Sequence, residues 1–279
     1  MGPTVTVACL ELAPEVGELA RNAAMASRAI GTAARSGAQV IVLPELVTSG
    51  YCFESNDEAR SVSISQDDPL FDQWSAEAGG AVVVAGFAER GDDERLYNSA
   101  VLIDTSGART VYRKTHLWDT EQLFFTAGSA AAPVVPTAFG RIGVMVCYDM
   151  EFPEMTRSVA LRGADLLVVP TNWPWAQRPA GMPAGEIVIA MAAAMANRMP
   201  IACCDRRGIE RGQRWHEATT IIGGDGWPLA TAGTDGVAMA EVDLSATRDK
   251  RLSSRNDALG DRRPDIYDRD ETSTTGPDR

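Results

Sequence analysis

Apolar residues recur along this chain in short unbroken runs, separated by stretches with helical spacing. That is the pattern of strands buried on both faces between helices. Residues 4–12 alternate and predict a first strand. Residues 18–36 are Ala-rich and free of Pro, with apolar positions at Leu19, Ala23, Ala26 and Ile30, and predict a helix ended by Gly37. Residues 39–43 predict a short buried strand that delivers Pro44-Glu45-Leu46 to its carboxyl end. A second helix is expected at 69–79 and a third strand at 81–87. Residues 97–104 and 109–113 predict a hairpin around Thr105-Ser106-Gly107, leading to Lys114-Thr115-His116-Leu117-Trp118.

The second half repeats this grammar. A strand ending in Val144-Met145-Val146-Cys147 precedes a helix at 154–162, a strand at 165–169, a Trp- and Pro-rich loop, an Ala/Met helix at 184–197 and a strand at 201–204. Two further strands, 219–222 and 237–242, are expected to flank the turn Gly223-Gly224-Asp225-Gly226. Residues 36–44 (Ser-Gly-Ala-Gln-Val-Ile-Val-Leu-Pro) match 162–170 (Arg-Gly-Ala-Asp-Leu-Leu-Val-Val-Pro) in pattern and spacing. Each is a cap glycine feeding a buried strand that ends in Pro. Two such units suggest two related halves, each a sheet covered by helices on one face. The expected fold is therefore α/β, two sheets face to face with helices outside, in one domain over residues 1–268 with a flexible charged tail at 269–279. A parallel doubly wound sheet is the alternative.

The stretch at 143–154 carries the chemistry. A β-branched run stops at Cys147, and Phe152-Pro153-Glu154 then opens a helix, since Pro fits the first helical position and acids suit its positive end. Helix-opening amides can lower the pKa of a thiol on such an elbow and hold an oxyanion. An inert buried cysteine reads equally well from this stretch alone. Glu45 and Lys114 also follow strong strands at their carboxyl ends, where α/β folds place reactive groups. A carboxylate beside a thiol takes its proton, and an ammonium beside both favours thiolate and oxyanion. A Cys–His pair with His116, two residues past Lys114, stays open on composition.

Composition narrows the classes. The net charge of −12 leaves no basic stripe for nucleic acid. Five cysteines without paired spacing fit a reducing cytosol. No apolar run reaches the length of a membrane span and the start lacks an export signal, so a cytoplasmic protein without membrane contact is expected. Zinc spacing, a Gly-x-Ser-x-Gly elbow, a phosphate loop and a dinucleotide fingerprint are all missing from the sequence.

Taken in order, Leu43-Pro44-Glu45 with Gly50-Tyr51, then Tyr112-Arg113-Lys114-Thr115-His116-Leu117, then Cys147-Tyr148-Asp149 with Phe152-Pro153-Glu154 resemble the nitrilase superfamily of carbon–nitrogen hydrolases, in its amidase-like branches. The likeness runs from the first strand to Arg263-Pro264-Asp265-Ile266-Tyr267, nearly the whole chain. Each motif alone is weakly specific; three in order make a strong signal. The resemblance implies a four-layer αββα sandwich, two mixed sheets with outer helices. It implies a Glu–Lys–Cys triad at Glu45, Lys114 and Cys147, with the backbone N–H of Tyr148 as an oxyanion donor. It further implies no cofactor and no metal, and homodimers or higher homo-oligomers packed through helices. Family members often carry a second glutamate that orients the lysine. Glu121 is the candidate, with Asp119 as rival.

In family terms Tyr148-Asp149 after the cysteine favours an amide over a nitrile, whereas carbamoylases more often carry Asn-Asp. Glu151 stands where ω-amidases carry Arg, which disfavours an anionic substrate if that side chain faces the pocket. Otherwise it is a helix-start acid. Tyr51, Tyr148, Asn172 and Trp173 are further expected at the substrate, with Trp173 and Trp175 either walling an acyl group or serving a dimer contact. Arg206, Arg207 and Arg211 are expected on a solvated loop near the site mouth. The expected activity is hydrolysis of a small neutral or amine-bearing carboxamide to acid and ammonia through a thioester. The alternatives are an N-carbamoyl amine or amino-acid amidohydrolase and a catalytically inactive binding member.

Overall fold

A computed structural model of the chain describes residues 4–267, so the expected domain end at 268 and the tail at 269–279 lie outside the described residues. The first half runs β1 (Thr4–Leu10), α1 (Leu19–Arg35), β2 (Val40–Val42), α2 (Asn56–Ser61), α3 (Leu70–Ala78), β3 (Val82–Arg90), β4 (Leu96–Ile103) and β5 (Arg109–Arg113). The second runs β6 (Val134–Thr137), β7 (Gly140–Val144), α4 (Pro153–Leu161), β8 (Leu166–Pro170), α5 (Gly185–Asn197) and β9 (Ile201–Cys204). A small hairpin, β10 (Ile209–Glu210) and β11 (Gln213–Arg214), precedes β12 (Thr220–Ile222), β13 (Pro228–Thr231), β14 (Val237–Asp243) and α6 (Pro264–Tyr267).

Two six-stranded sheets form, ordered β14-β1-β2-β3-β4-β5 and β13-β12-β9-β8-β7-β6. In the first, β1, β2 and β3 are parallel while β14, β4 and β5 are antiparallel to their neighbours. In the second, β7, β8 and β9 are parallel and β6, β12 and β13 antiparallel. Each sheet thus has the same succession of strand senses, and the two echoing segments supply β2 and β8, the middle strand of each parallel set. The two-sheet reading holds and the single doubly wound sheet does not.

The unbroken apolar runs follow from burial on both faces. On β2 and β3, Val40, Val42, Val82 and Val84 face the core shared with Val144, Leu166 and Val168 of the other sheet. Ile41, Val83, Ala85 and Phe87 point the other way, into a core with Ile30 of α1 and Phe71 and Trp74 of α3. Each fully buried Val, Leu, Ile or Phe among them is worth about 1.5–3 kcal/mol. Under α4, Gly143 leaves room that a Cβ would fill, 2.4 Å from Val159 Cγ1, so the helix packs close behind the elbow strand.

One pairing differs from the sequence reading. The turn at 223–227 joins β12 to β13, not to 237–242, and β14 crosses to the first sheet to pair with β1. β13 starts at Pro228 and is mostly exposed, as an edge strand without a buried face is, so it carries no apolar run to read. β6, with Pro136 inside it, escaped for the same reason. Among the described residues no helix is long and apolar enough to cross a membrane.

Candidate active site

The β2 strand ends in a sharp turn that holds Glu45. Leu43 N donates to Val84 O (2.8 Å), Gly86 N to Pro44 O (3.1 Å) and Val47 N to Gly86 O (3.0 Å), so the turn is laced onto β3. The approach is possible only because residue 86 is glycine: a Cβ there would sit 2.5 Å from Glu45 Cα. Leu46 adopts φ 48°, a left-handed conformation that bulky residues rarely take. The turn aims the Glu45 carboxylate inward, fully buried.

Lys114 follows β5, with its N–H on Asn98 O (2.9 Å) and its carbonyl taken by Gly128 N (2.8 Å). Its ammonium, wholly buried, lies 2.7 Å from Glu45 Oε1 and 2.7 Å from Glu121 Oε1. Asn98 Nδ2 also donates to Glu45 Oε1 (2.7 Å), leaving Glu45 Oε2 buried without a hydrogen-bond partner among the described residues. Of the two rival acids, Glu121 is the one on the lysine, and Asp119 is exposed. The Glu121 carboxylate also accepts from Tyr51 Oη (2.6 Å) and Trp118 N (3.2 Å).

Electrostatics follow from this packing. Burial pushes Glu45 up to about 7; the Lys114 charge opposes that rise and the Glu121 charge adds to it. Burial works to lower Lys114, but Glu121 and Glu45 win and hold it well above its usual range. An ammonium has three donors, and two of those on Lys114 are committed. Among the described residues the third is uncommitted.

Cys147 opens a single 3-10 turn, Cys147–Glu151, at φ 47°, so it sits on a strained elbow before α4. Burial raises its thiol well above the usual range; Glu45 adds to this and Lys114 opposes it. Burial thus outweighs the lowering that helix-opening amides can produce. Cys147 Sγ lies 3.9 Å from Asn172 O, and Asn172 Nδ2 donates to Glu45 O (2.9 Å), so one residue links the thiol to the carboxylate's turn.

The remaining sequence candidates divide. Asn172 is fully buried, and its amide nitrogen is engaged by the Glu45 backbone; its Oδ1 has no partner among the described residues. Trp173 is buried beside it, with its backbone N–H on Asp205 Oδ1 (3.0 Å), while Trp175 is exposed under the Arg214 guanidinium. Burial pushes Asp205 up to about 7 against the backbone N–H groups of Trp173, Ala218 and Arg206. Tyr148 packs edge-on against Trp118 (4.9 Å between ring centroids). Burial and the charge of Glu186 both raise Glu151, which Lys114 lowers. His116 does not reach the thiol: it stacks on Phe152 and its Nδ1 lies 2.8 Å from Asp149 Oδ1.

Two anchors were missed. Asp149 is fully buried and accepts from Tyr112 Oη (2.9 Å), Thr115 Oγ1 (2.9 Å), His116 N (3.0 Å) and Val146 N (3.2 Å). It thereby ties the residues after Lys114 to the residue before Cys147. Tyr148-Asp149 was legible only as a substrate-class marker; an acid one turn past a nucleophile was the available signal. Arg206 is only 2% exposed, so the solvated-loop expectation fails for it; it pairs with Glu210 at 2.8 Å. Arg211 does stay on a partly open surface, paired with Glu58.

A cavity of about 340 Å³ lined by Tyr51, Phe53, Trp118, Phe124, Pro174 and Trp215 adjoins this cluster, since Tyr51 and Trp118 both touch Glu121. A larger one, about 1330 Å³, lies between α4, α5 and the chain around 252–267, and meets the elbow only through Met150 and Glu151. No group of three or more His, Cys, Asp or Glu among the described residues could hold a metal ion.

Comparison with known proteins places this geometry. A family model described as Carbon-nitrogen hydrolase matches residues 6–252. A protein of Pyrococcus abyssi named nitrilase is 36% identical over 94% of this chain and 99% of its own length. The crystal structure of a carbon-nitrogen hydrolase from Helicobacter pylori G27 superposes with a TM-score of 0.84 at 25% identity, covering 95% of this chain and 98% of that one. A mutant of the amidase from Nesterenkonia sp. AN1, solved in complex with butyramide, gives a TM-score of 0.75 at 26% identity over 88% and 94% of the two chains.

Proposed function

The chain belongs to the carbon–nitrogen hydrolase family, and on that premise we propose that it is an amidase that cleaves a small carboxamide through a thioester on Cys147. The observation that carries this reading is the buried Lys114 ammonium, fixed between Glu45 and Glu121 with one N–H uncommitted among the described residues, within electrostatic reach of the Cys147 thiol on its strained elbow.

In the proposed cycle Glu45 takes the Sγ proton and the thiolate attacks the amide carbon. The Lys114 ammonium and the Tyr148 N–H receive the oxyanion, each worth about 3–4 kcal/mol when removed. The tetrahedral species collapses as Glu45 returns the proton to nitrogen; the C–N bond breaks and ammonia leaves. Glu45 then deprotonates a water that attacks the thioester, and collapse expels the thiolate, which recovers its proton. One carboxylate serves as base, acid and base again. A value near 7 suits all three steps.

The half-buried Glu151 beside Glu186 supports a neutral or amine-bearing substrate over an anionic one, by like-charge exclusion. The butyramide complex of the Nesterenkonia amidase supports a short acyl group. The helix faces of α4 and α5, with Leu161, Val188 and Met195 exposed, support a homodimer packed through them. The test is ammonia release from short amides, N-carbamoyl amines and nitriles, beside Cys147→Ala. Release from amides that is lost in the variant is expected. Preference for N-carbamoyl amines would move the reading to that class. No release from any class, with Cys147 resistant to alkylation, would overturn it in favour of a binding protein.

A further inference from the structure

We propose that Glu210 is a positioning residue for the Lys114 ammonium, acting through Tyr51 and Glu121. The carboxylate of Glu210 is buried and receives two consecutive backbone donors on its Oε2, Tyr51 N at 2.9 Å and Cys52 N at 2.7 Å. Its Oε1 accepts from Arg206 Nη1 at 2.8 Å. Arg206 is in turn fixed by Pro14 O (2.7 Å) and by the face of Trp215, 4.8 Å from its guanidinium carbon. The edge of the Tyr51 ring meets that same indole, with centroids 5.4 Å apart. Gly50 completes the fit. It holds φ 76°, and a Cβ there would meet the Val16 backbone (2.4 Å from Cα) as well as Glu210 Oε1 (2.7 Å), so the loop packs this closely only with glycine.

The far end of Tyr51 does the positioning. Its hydroxyl donates to Glu121 Oε1 at 2.6 Å, the same oxygen that accepts from Lys114 Nζ at 2.7 Å. The chain of contacts therefore runs from Pro14 through Arg206, Glu210, Tyr51 and Glu121 to Lys114, and ends on Glu45. Burial and the Glu121 charge keep the phenol protonated, so Tyr51 stays a donor. Without it Glu121 is held only by Trp118 N and Lys114, and the ammonium loses part of the orientation that stabilises negative charge on Cys147. The hairpin β10–β11, remote from the reacting groups in sequence, thus sets the lysine.

The inference rests on the assignment of Lys114 and Cys147 to one reacting site, and its test needs no amide turnover. The rate of Cys147 alkylation by iodoacetamide is followed from pH 6 to 10 by mass spectrometry of the Cys147 peptide, in wild type, Tyr51→Phe, Glu210→Gln and the double variant. The thiolate displaces iodide, so the rate reports the thiolate population. Each single variant is expected to shift the profile to higher pH by about one unit, about tenfold slower below the pKa. The double variant is expected to be no slower than the slower single. Slowing that multiplies in the double variant, or an unchanged profile in Glu210→Gln with only a lower Tm, would overturn the proposal. Should Glu210→Gln fail to fold, Glu210→Asp in the wild-type and Tyr51→Phe backgrounds gives the same comparison. An enzyme inert toward amides that still shows this coupling would refute the amidase reading and leave this one standing.

Discussion

At the scale of single residues, the site is a buried cation shared by two buried acids. Removing one member of such a set is costly because the others stay buried and unpaired. Lys114→Ala leaves the Glu45 and Glu121 carboxylates together without a counter-charge, and is expected to destabilise the fold by about 3–5 kcal/mol in denaturant titration. Cys147→Ala, which removes a thiol and no charge, should keep the wild-type midpoint. The pH dependence has a definite sign. Below about 7 the proposed base Glu45 is protonated and cannot accept the thiol proton, so kcat/KM should rise with pH through about 7. A flat profile from 5 to 8 would remove Glu45 from the proposed role. Glu45 and Cys147 were legible because each follows a strong apolar run, and Lys114 because it follows a hairpin strand, in the order the three motifs set. Asp149, Arg206 and Glu210 were not, since their importance lies in contacts with residues remote in sequence, and an isolated charge otherwise reads as solvated.

At the scale of elements, the candidate triad depends on strand ends being held by their neighbours. The Glu45 turn is laced onto β3 at Gly86, and any side chain there collides with backbone rather than with a movable rotamer. Gly86→Ala is expected to lower stability by about 1–3 kcal/mol and to depress kcat beyond what that loss explains, by displacing Glu45. Equal kcat in the folded variant would show that the turn tolerates a shift. Element existence was well marked wherever both faces are buried, as in β2, β3 and β8. It was poorly marked on edges. β6 and β13 carry Pro and face solvent, so neither presents an alternation to read, and without β13 the turn at 223–226 reads as leading to β14.

At the scale of the whole molecule, two halves with the same strand order bring their sheets together. The echo at 36–44 and 162–170 marks the middle strand of each. That repeat is why a sandwich was readable from one sequence. The substrate was not, because the cavity beside the cluster is walled by Tyr51, Trp118, Pro174 and Trp215, which no single run contains. If the molecule pairs through α4 and α5, light scattering should give about twice the 29.8 kDa of one chain, and Val188→Glu should shift it toward the monomer. The most direct test of the account is a quenched-flow mass measurement on the Cys147 peptide during turnover of a short amide. A transient increase equal to the acyl group is expected in wild type and is expected to be missing in Lys114→Ala. Ammonia released with that peptide unmodified throughout would contradict it.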